Sequence, residues 1–239
     1  MAYQERTYRK KTTATDLVGF EVAIKETDLF ILAESELKKE TTAAILKYRN
    51  QLEEYIAQQP EFQTSLVPYP VSDLAPAIAK DMALAAQRTH VGPMAAVAGA
   101  IADYVGKDLT AFSHELIIEN GGDIYIRSDK LRRMSIYAGN SPFSYKIAIE
   151  IPPELTPCGV CTSSSTVGPS LSFGKADAVT IIGTTATLAD AAATAVGNLV
   201  KTPQEINAAI EFGQQIDGVL GILIAIQDKL GVWGKITLV

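Results

Sequence analysis

Alternation of apolar and polar residues marks several short strands in the first part of the chain. Such alternation occurs near residues 5–12, 18–25 and 30–34 and predicts an N-terminal β-meander or hairpin. From Ser35 the apolar positions follow a helical spacing instead, which includes Leu37, Ile45 and Leu52. This change of period predicts a long amphipathic helix that ends near Gln59, just before Pro60.

Helical and strand-like patterns continue along the rest of the chain. Helices are predicted at 76–88, 92–105, 188–199 and 203–214, with Gly106 as the C-terminal stop of the second of these. Strands are predicted at 116–119, 124–127, 133–137, 145–149, 178–182, 218–227 and 232–239. Because no repeat or linker interrupts the pattern, we expect one α+β domain over residues 1–239, with antiparallel sheets and an inner helical layer.

The composition indicates a globular protein and argues against two classes of partner. Of 239 residues, 47% are hydrophobic, which is enough to bury one large core or two modest ones. The net charge of −6 does not provide the cationic surface that nucleic acids and anionic membranes require. The N-terminus lacks the apolar core of a signal peptide, and the most apolar run, Val219 to Ile226, is far shorter than the roughly 20 residues of a membrane helix. We therefore expect a cytoplasmic protein that binds neither nucleic acid nor membrane.

The stretch from Cys158 to Asn198 carries the densest set of chemically useful residues. A Cys-x-x-Cys pair leads into hydroxyl side chains from Thr162 to Thr166 and a Gly/Ser segment over 168–174. A β-like run and an Ala-rich helix with Asp190 and Thr194 follow. Hydroxyls, glycine amides and one carboxylate are the partners that a phosphate-bearing ligand and a hard cation require. This stretch therefore predicts a binding site.

A second candidate segment begins at Gly92. The residues from Gly92 to Ala102 predict a helix with Pro at its first position and almost no side-chain bulk on its first two turns. Such a start exposes the amides of Met94, Ala95 and Ala96 to an anion, together with the positive end of the helix dipole. The alternative is that the small residues only allow tight helix packing.

Asp190 and Thr194 have two interpretations. Four residues apart, they share one helix face, so that a carboxylate oxygen and a hydroxyl lie close enough to bind one Mg²⁺. Thr187-x-x-Asp190 also matches a capping box, in which Asp190 only satisfies backbone donors, and the residues alone favour this second interpretation. The run from Asn120 to Asp123, with Gly121-Gly122 at its centre, is similarly either a tight turn or part of a site.

Cys158 and Cys161 open a hypothesis from a different class. Two thiols at this spacing are able to cycle to a disulfide, carry a persulfide or supply half of a metal site. Zinc would need His90 and His114 as further ligands, at a spacing unlike that of common zinc modules. The alternative is a buried Cys161 beside an incidental Cys158.

Several of these motifs together resemble a known family. Asn120-Gly121-Gly122-Asp123, Thr162-Ser163-Ser164 and the segment from Ala178 to Ala195 occur in the order seen in ApbE proteins, the FAD:protein FMN transferases. The chain is more closely similar to a cytoplasmic ApbE-like branch, through the motif that starts at Gly92 and the motif from Cys161 to Ala178. This second resemblance covers nearly the whole chain.

The resemblance implies an ApbE-like, T-fold-related architecture with a cleft for FAD or a related flavin nucleotide. It assigns Mg²⁺ to Asp190 and Thr194, beside the pyrophosphate, and it implies a protein acceptor. The candidate nucleotide-binding residues are Gly92, Met94, Ala95, Ala96, Asn120, Gly121, Gly122, Asp123, Thr162, Ser163 and Ser164.

The chain also departs from the transferases. They carry a His-x-x-Asp-Pro-x-Thr-Gly segment before the last core strand, where this chain has Ser170 to Asp177 without a histidine. Lys175 or Asp177 is a possible substitute, and we take Asp177 and Cys161 as the catalytic candidates. Members of the branch are associated with sulfur handling in anaerobes. Three hypotheses follow: a flavin-nucleotide and Mg²⁺ binding protein with transferase or pyrophosphate-cleaving activity, a sulfur-handling protein that uses Cys161, and a non-catalytic scaffold.

Overall fold

A large antiparallel sheet forms the centre of the molecule. The computed structural model describes residue 14 and residues 16–165 and 173–239. Its eight strands lie in the order β1 (Val18–Ile24), β2 (Thr27–Ala33), β3 (Leu116–Asn120), β4 (Asp123–Arg127), β7 (Cys158–Ser163), β8 (Ala178–Gly183), β9 (Val219–Ile226) and β10 (Lys229–Gly234). The central strands are rich in Ile and Val and are buried on both faces, so each face of the sheet supports a separate core.

A smaller sheet and a helical layer cover the two faces. The small antiparallel sheet has the order β11 (Thr237–Leu238), β6 (Ala148–Ile151) and β5 (Arg132–Ser135). The helices are α1 (Lys38–Gln58), α2 (Pro60–Thr64), α3 (Ala77–Thr89), α4 (Val97–Leu109), α5 (Ala186–Leu199) and α6 (Ile206–Gly213). In the described part of the chain, no helix combines the length and apolar character needed to cross a membrane.

The helices α4 and α5 form an inner layer directly on the central sheet. α4 packs on β3 and β4, whereas α5 packs on β7 and β8, and α3 lies outside them. Small residues make this close packing possible. A Cβ at Gly159 would lie 2.3 Å from the Cα of Ala186, and a Cβ at Gly106 would lie 2.4 Å from the ring of Tyr125. The α+β fold and the inner helical layer expected from the sequence are confirmed.

Several element boundaries differ from the predicted ones. The α-helix expected from Pro93 begins at Val97, because Pro93–Ala96 forms a short 3₁₀ helix. Gly106 lies inside α4 rather than at its end, since its missing side chain makes room for Tyr125. The predicted strand at 145–149 lies at Ala148–Ile151, and the last predicted strand is divided into β10 and β11. The predicted strand at 5–12 lies outside the described residues.

The contact between β7 and α5 predicts opposite effects for two glycine substitutions. Gly159→Ala should lower the free energy of unfolding by about 1–3 kcal/mol or more, because the new methyl group meets the backbone of Thr185 and Ala186, which cannot yield. Gly197→Ala is the matched control. Its Cβ meets Ser163 and Val179 at 3.6–3.8 Å, so the change should be neutral or stabilising by up to about 1 kcal/mol. Urea denaturation of both variants tests this, and equal effects would contradict it.

Candidate functional site

The carboxylate of Asp190 lies at the N-terminus of the neighbouring helix α4. Its Oδ2 accepts a hydrogen bond of 2.9 Å from the amide of Gly99, and the amide of Ala98 also interacts with it. Both amides belong to the first turn of α4, which has no intrahelical acceptors of its own for them. Asp190 on α5 therefore caps α4 across the helix interface.

Asp103 on α4 does the same for α5. Its carboxylate accepts hydrogen bonds from the amides of Ala186 at 3.0 Å and Thr187 at 2.8 Å, and from the Thr187 hydroxyl at 2.6 Å. The cap within α5 is Thr185, whose hydroxyl accepts a bond from the Leu188 amide. The capping box predicted for Thr187 and Asp190 is therefore wrong. Each of these residues bonds to α4 instead.

Asp190 and Thr194 form an accessible stripe on an otherwise buried helix. Between Ala186 and Gly197 they are the two positions of α5 that are partly exposed. Only part of Asp190 is exposed, and the protein that surrounds the rest of the carboxylate raises its pKa to about 7. The negative charge of Asp103 adds to this rise in pKa, whereas the amides of Gly99 and Ala98 oppose it. The carboxylate and hydroxyl oxygens are thus presented on one face, as a hard cation requires.

The Asn120–Asp123 motif is a tight hairpin turn that touches the same end of α4. Gly121 and Gly122 have φ angles of 73° and 105°, which fits a two-residue turn between β3 and β4. The side-chain amide of Asn120 donates a bond of 3.1 Å to the carbonyl of Ala98. The turn therefore lies beside the residues that Asp190 caps, so the motif is a turn placed at the candidate site.

The hydroxyl-rich run begins at the end of β7, next to this hairpin. The amide of Thr162 donates to the carbonyl of Gly122 at 3.2 Å, and the hydroxyls of Thr162 and Thr180 share a bond of 2.8 Å. Thr162, Ser163 and Ser164 are partly exposed. The continuation of the run over residues 166–172 lies outside the described residues. The structure thus brings three of the sequence motifs, in Asn120–Asp123, Thr162–Ser164 and α5, to one end of the inner helices.

The glycines of the segment that starts at Gly92 are required by packing. A Cβ at Gly92 would lie 1.9 Å from the carbonyl oxygen of Ser65, and one at Gly99 would lie 2.2 Å from that of Ala186. The amide of Ala95 is already bonded to the carbonyl of Gly92 at 3.1 Å. The expectation of a free helix start at Pro93 is therefore corrected. The α-helix begins at Val97, whose amide donates to the carbonyl of Met94, and the next two amides, of Ala98 and Gly99, meet Asp190. Met94 and Ala95 remain partly exposed.

The two cysteines point to opposite faces of the sheet. Three residues apart on β7, Cys158 belongs to the core under the small sheet and Cys161 to the core under the helices. They are therefore not placed to form a disulfide with each other. Burial raises the pKa of Cys158 to about 12 and that of Cys161 well above its usual value. The thiol of Cys161 donates to the carbonyl of Ala186 at 3.3 Å, so its surroundings are the opposite of those of a nucleophilic thiolate.

Asp177 serves a turn at the edge of the sheet. Its Oδ2 accepts a bond of 2.7 Å from the amide of Gln227, where β9 ends, and its own amide donates to Ala225. These contacts direct the carboxylate towards the turn between β9 and β10. They give no support to Asp177 as a catalytic base.

Sequence reasoning missed Asp103, the partner of Asp190 in this arrangement. A signal was present. Asp103 is the one acidic residue on the face of α4 that also carries Gly99 and Gly106, and a charge between two glycines on a packed face needs partners from another element. Among the described residues, no three His, Cys, Asp or Glu side chains are placed to hold a metal ion. A cation at Asp190 would therefore take most of its ligands from outside the protein.

Comparison with known proteins identifies the family. The family model described as AbpE bacteria matches residues 9–229. The chain belongs to this family. Within it, the chain is 43% identical over 221 residues to a UPF0280 protein of Methanocaldococcus jannaschii, covering 90% of each chain. It is 47% identical over 214 residues to a UPF0280 protein of Methanosphaerula palustris, covering 89% of each.

Two solved structures show the same fold as this AbpE-family chain. One is the apo form of the flavinyl transferase ApbE of Pseudomonas stutzeri, with a TM-score of 0.57, 14% identity, and coverage of 91% of this chain and 94% of that one. The other is a variant of the flavin transferase ApbE of Vibrio cholerae, with a TM-score of 0.56, 14% identity, and coverage of 92% and 98%. The ApbE-like architecture expected from the sequence is confirmed.

Burial of both thiols predicts slow chemical labelling. In the folded protein, Cys158 and Cys161 should react with iodoacetamide much more slowly than a free thiol near neutral pH, because their raised pKa values leave almost no thiolate. Both should react at the ordinary rate in urea. Mass spectrometry of trypsin-digested protein measures each site separately. Fast labelling of Cys161 in the folded state would restore the nucleophile hypothesis.

The raised pKa of Asp190 predicts a pH dependence of stability. Between its ordinary value of 3.8 and the value of about 7 in the folded protein, the folded state holds a proton that the unfolded chain has released. This contribution to the free energy of unfolding is therefore present at low pH and is lost as the pH rises through that window. Urea denaturation of the wild type and Asp190→Asn from about pH 4 to pH 8 should show the wild type losing stability relative to the variant. A free energy of unfolding of the wild type that increases with pH relative to that of Asp190→Asn would contradict the assignment.

Proposed function

We propose that this protein binds a flavin nucleotide together with Mg²⁺ beside the N-terminus of α4, where Asp190 and Thr194 of α5 are partly exposed. The observation that carries the proposal is the accessible pair of Asp190 and Thr194 on a helix whose other residues up to Gly197 are buried. The Asn120–Asp123 turn and the hydroxyls of Thr162–Ser164 lie beside the same end of α4. The choice of a flavin rests on the shared fold with structures named as flavin transferases.

The donor set at Asp190 suits Mg²⁺ bound jointly with a phosphate ligand. The Asp190 carboxylate interacts with the amides of Gly99 and Ala98. Its remaining lone pairs and the Thr194 hydroxyl would be the protein's ligands for a cation. Mg²⁺ requires about six oxygen ligands. Two protein oxygens are too few, so water and a diphosphate would supply the rest. Mg²⁺ and nucleotide should therefore bind as a unit, with each increasing the affinity for the other.

The reaction that fits this ligand is cleavage of the FAD pyrophosphate bond. When bound, Mg²⁺ would neutralise charge on the two phosphates. An acceptor hydroxyl attacks the phosphorus on the FMN side, the hydroxyl proton passes to a base, and AMP leaves with the bridging oxygen. A Ser or Thr of a protein acceptor gives a flavinylated protein, whereas water gives free FMN. The role of the chain's own residues in this proposal is to hold and orient the diphosphate.

The two other hypotheses have different support. Sulfur handling by Cys161 is not carried forward, because that thiol is fully buried and bonded to Ala186. A scaffold that binds the nucleotide without turnover remains a distinct outcome of the experiments below. It differs from the proposal only in chemistry, since the binding site would be the same.

Removal of one charge at the site tests the binding proposal. Asp190→Asn should weaken FAD binding in Mg²⁺ by about tenfold or more, on the scale of lost metal ligation, and should leave binding in EDTA unchanged. Asparagine keeps an acceptor for the Gly99 amide, so the loss of stability near neutral pH should stay within about 1 kcal/mol. Titration calorimetry with and without Mg²⁺ measures the affinities.

The matched control is Asp228→Asn, which removes an exposed carboxylate that is paired with Lys229. It should leave the affinity for FAD with Mg²⁺ unchanged. An Asp190→Asn protein that keeps full Mg²⁺-dependent binding would limit Asp190 to helix capping and contradict the proposed site.

Mass spectrometry of the protein with FAD and Mg²⁺ separates the possible reactions. With a Ser- or Thr-containing acceptor protein present, a transferase yields an acceptor heavier by FMN minus water, and AMP in equal amount. A pyrophosphate-cleaving enzyme yields free FMN and AMP. Intact FAD bound without turnover would identify a scaffold, and the absence of binding at millimolar FAD would overturn the proposed function.

A further inference from the structure

Asp103 is a buried carboxylate whose hydrogen bonds all serve the start of α5. Its side chain is 1% exposed, and its three hydrogen bonds go to two residues, Ala186 and Thr187. Burial raises the pKa of Asp103, opposed by these bonds. A carboxylate in such a place is costly unless it is fully hydrogen-bonded, so its position is closely tied to that of the α5 N-terminus.

The bonds of Asp103 and Asp190 lie one helical turn apart on both helices. Gly99 and Asp103 are four residues apart on α4, and Ala186 and Asp190 are four residues apart on α5. Gly99 pairs with Asp190, and Asp103 pairs with Ala186, so the two helices run antiparallel at this contact. Two attachments one turn apart fix both the sliding and the rotation of α5 relative to α4.

One of the two attachments belongs to the proposed metal site and the other does not. The carboxylate of Asp190 has to serve a cation as well as the amide of Gly99. Asp103 bonds to buried residues at the start of α5, and these bonds do not involve Asp190 or Thr194. When Asp190 coordinates a cation, its carboxylate is shared between the cation and α4. The attachment through Asp103 then holds α5 in position.

We propose that Asp103 is a positioning residue for the Mg²⁺–nucleotide site, because it holds α5 in the register that presents Asp190 and Thr194. The inference rests on the proposed function and adds a residue that makes no contact with the ligand. Loss of an ordinary helix cap would lower stability without changing the affinity for Mg²⁺, whereas loss of Asp103 should change both.

Two variants of different severity test the proposal. Asp103→Asn removes the charge, and Thr187→Val removes only one hydroxyl donor while keeping the shape of the side chain. Both should weaken the binding of Mg²⁺ in the presence of saturating FAD. The affinity should fall about tenfold in Asp103→Asn and by less in Thr187→Val, as is typical of residues that orient metal ligands. Calorimetric titration of Mg²⁺ measures these affinities. Thr187→Val carries the test if Asp103→Asn does not fold.

The matched control is Ile101→Val, which removes one buried methylene from the same helix without touching either attachment. It should lower thermal stability and leave the affinity for Mg²⁺ unchanged. In the double variant Asp103→Asn/Asp190→Asn, the loss of Mg²⁺ affinity should not exceed that of Asp190→Asn alone, because Asp103 acts through Asp190.

Amide hydrogen exchange gives a readout that needs no ligand. In Asp103→Asn, the Gly99 amide should exchange faster than in Ile101→Val when both variants are measured at the same free energy of unfolding. The reason is that α5 is no longer held against α4. Unchanged Mg²⁺ affinity in Asp103→Asn and Thr187→Val, with wild-type binding intact, would overturn the positioning role. Absence of Mg²⁺-dependent FAD binding in the wild type would overturn the proposed function instead.

Discussion

The arrangement of this molecule depends on two helices that cap each other. Asp190 of α5 accepts bonds from the first turn of α4, and Asp103 of α4 accepts bonds from the first turn of α5. A helix start leaves amides without acceptors, and a buried carboxylate needs donors. Each helix supplies what the other lacks. The contact is therefore satisfied only when both helices are present and aligned, which makes it a constraint on the whole inner layer.

The small residues around this contact follow from the same constraint. Carboxylates are short, so the two helix axes have to approach closely for them to reach the opposite amides. Gly99 permits that approach, because any side chain there would collide with the carbonyl of Ala186. Gly159 permits the start of α5 to lie directly on β7 in the same way. The sequence suggests that these glycines allow a ligand to approach, whereas the structure shows that close packing of the helices and the sheet requires them.

The fold was predictable from the sequence to the extent that local pattern determines it. Alternation gave β1 and β2, helical spacing gave α1, and the Asn120–Asp123 motif gave a hairpin turn. The strand β7 was missed because Cys158–Ser163 has only two β-branched residues, Val160 and Thr162, contains Gly159, and shows no alternation of apolar and polar residues. Its strand form depends on pairing with β4 and β8, which lie far away in sequence.

The sequence singles out candidate residues, and the structure shows relations between them that local spacing does not predict. The sequence offered Thr187 as the partner of Asp190 because the two lie within one turn. The actual donor, Gly99, is 91 residues away. The hypothesis that Cys158 and Cys161 act together has a similar origin, whereas the alternative of buried cysteines agrees with the structure. A spacing of three residues brings two thiols together on many loops, whereas on a strand it directs them to opposite faces. Local spacing suggests a chemistry, and only the element that carries it decides whether the groups meet.

A single carboxylate is able to do only part of the work of binding a cation at the proposed site. Asp190 has two oxygens, and the Gly99 amide holds one of them in place. A fixed carboxylate loses little freedom when a cation arrives, which favours binding. Its raised pKa acts against binding, because a proton has to leave before the cation is held. With one carboxylate and one hydroxyl, the protein does not offset this cost without the oxygens of a diphosphate. The proposed function therefore requires a site that recognises a cation and a nucleotide together, rather than one that stores the cation alone.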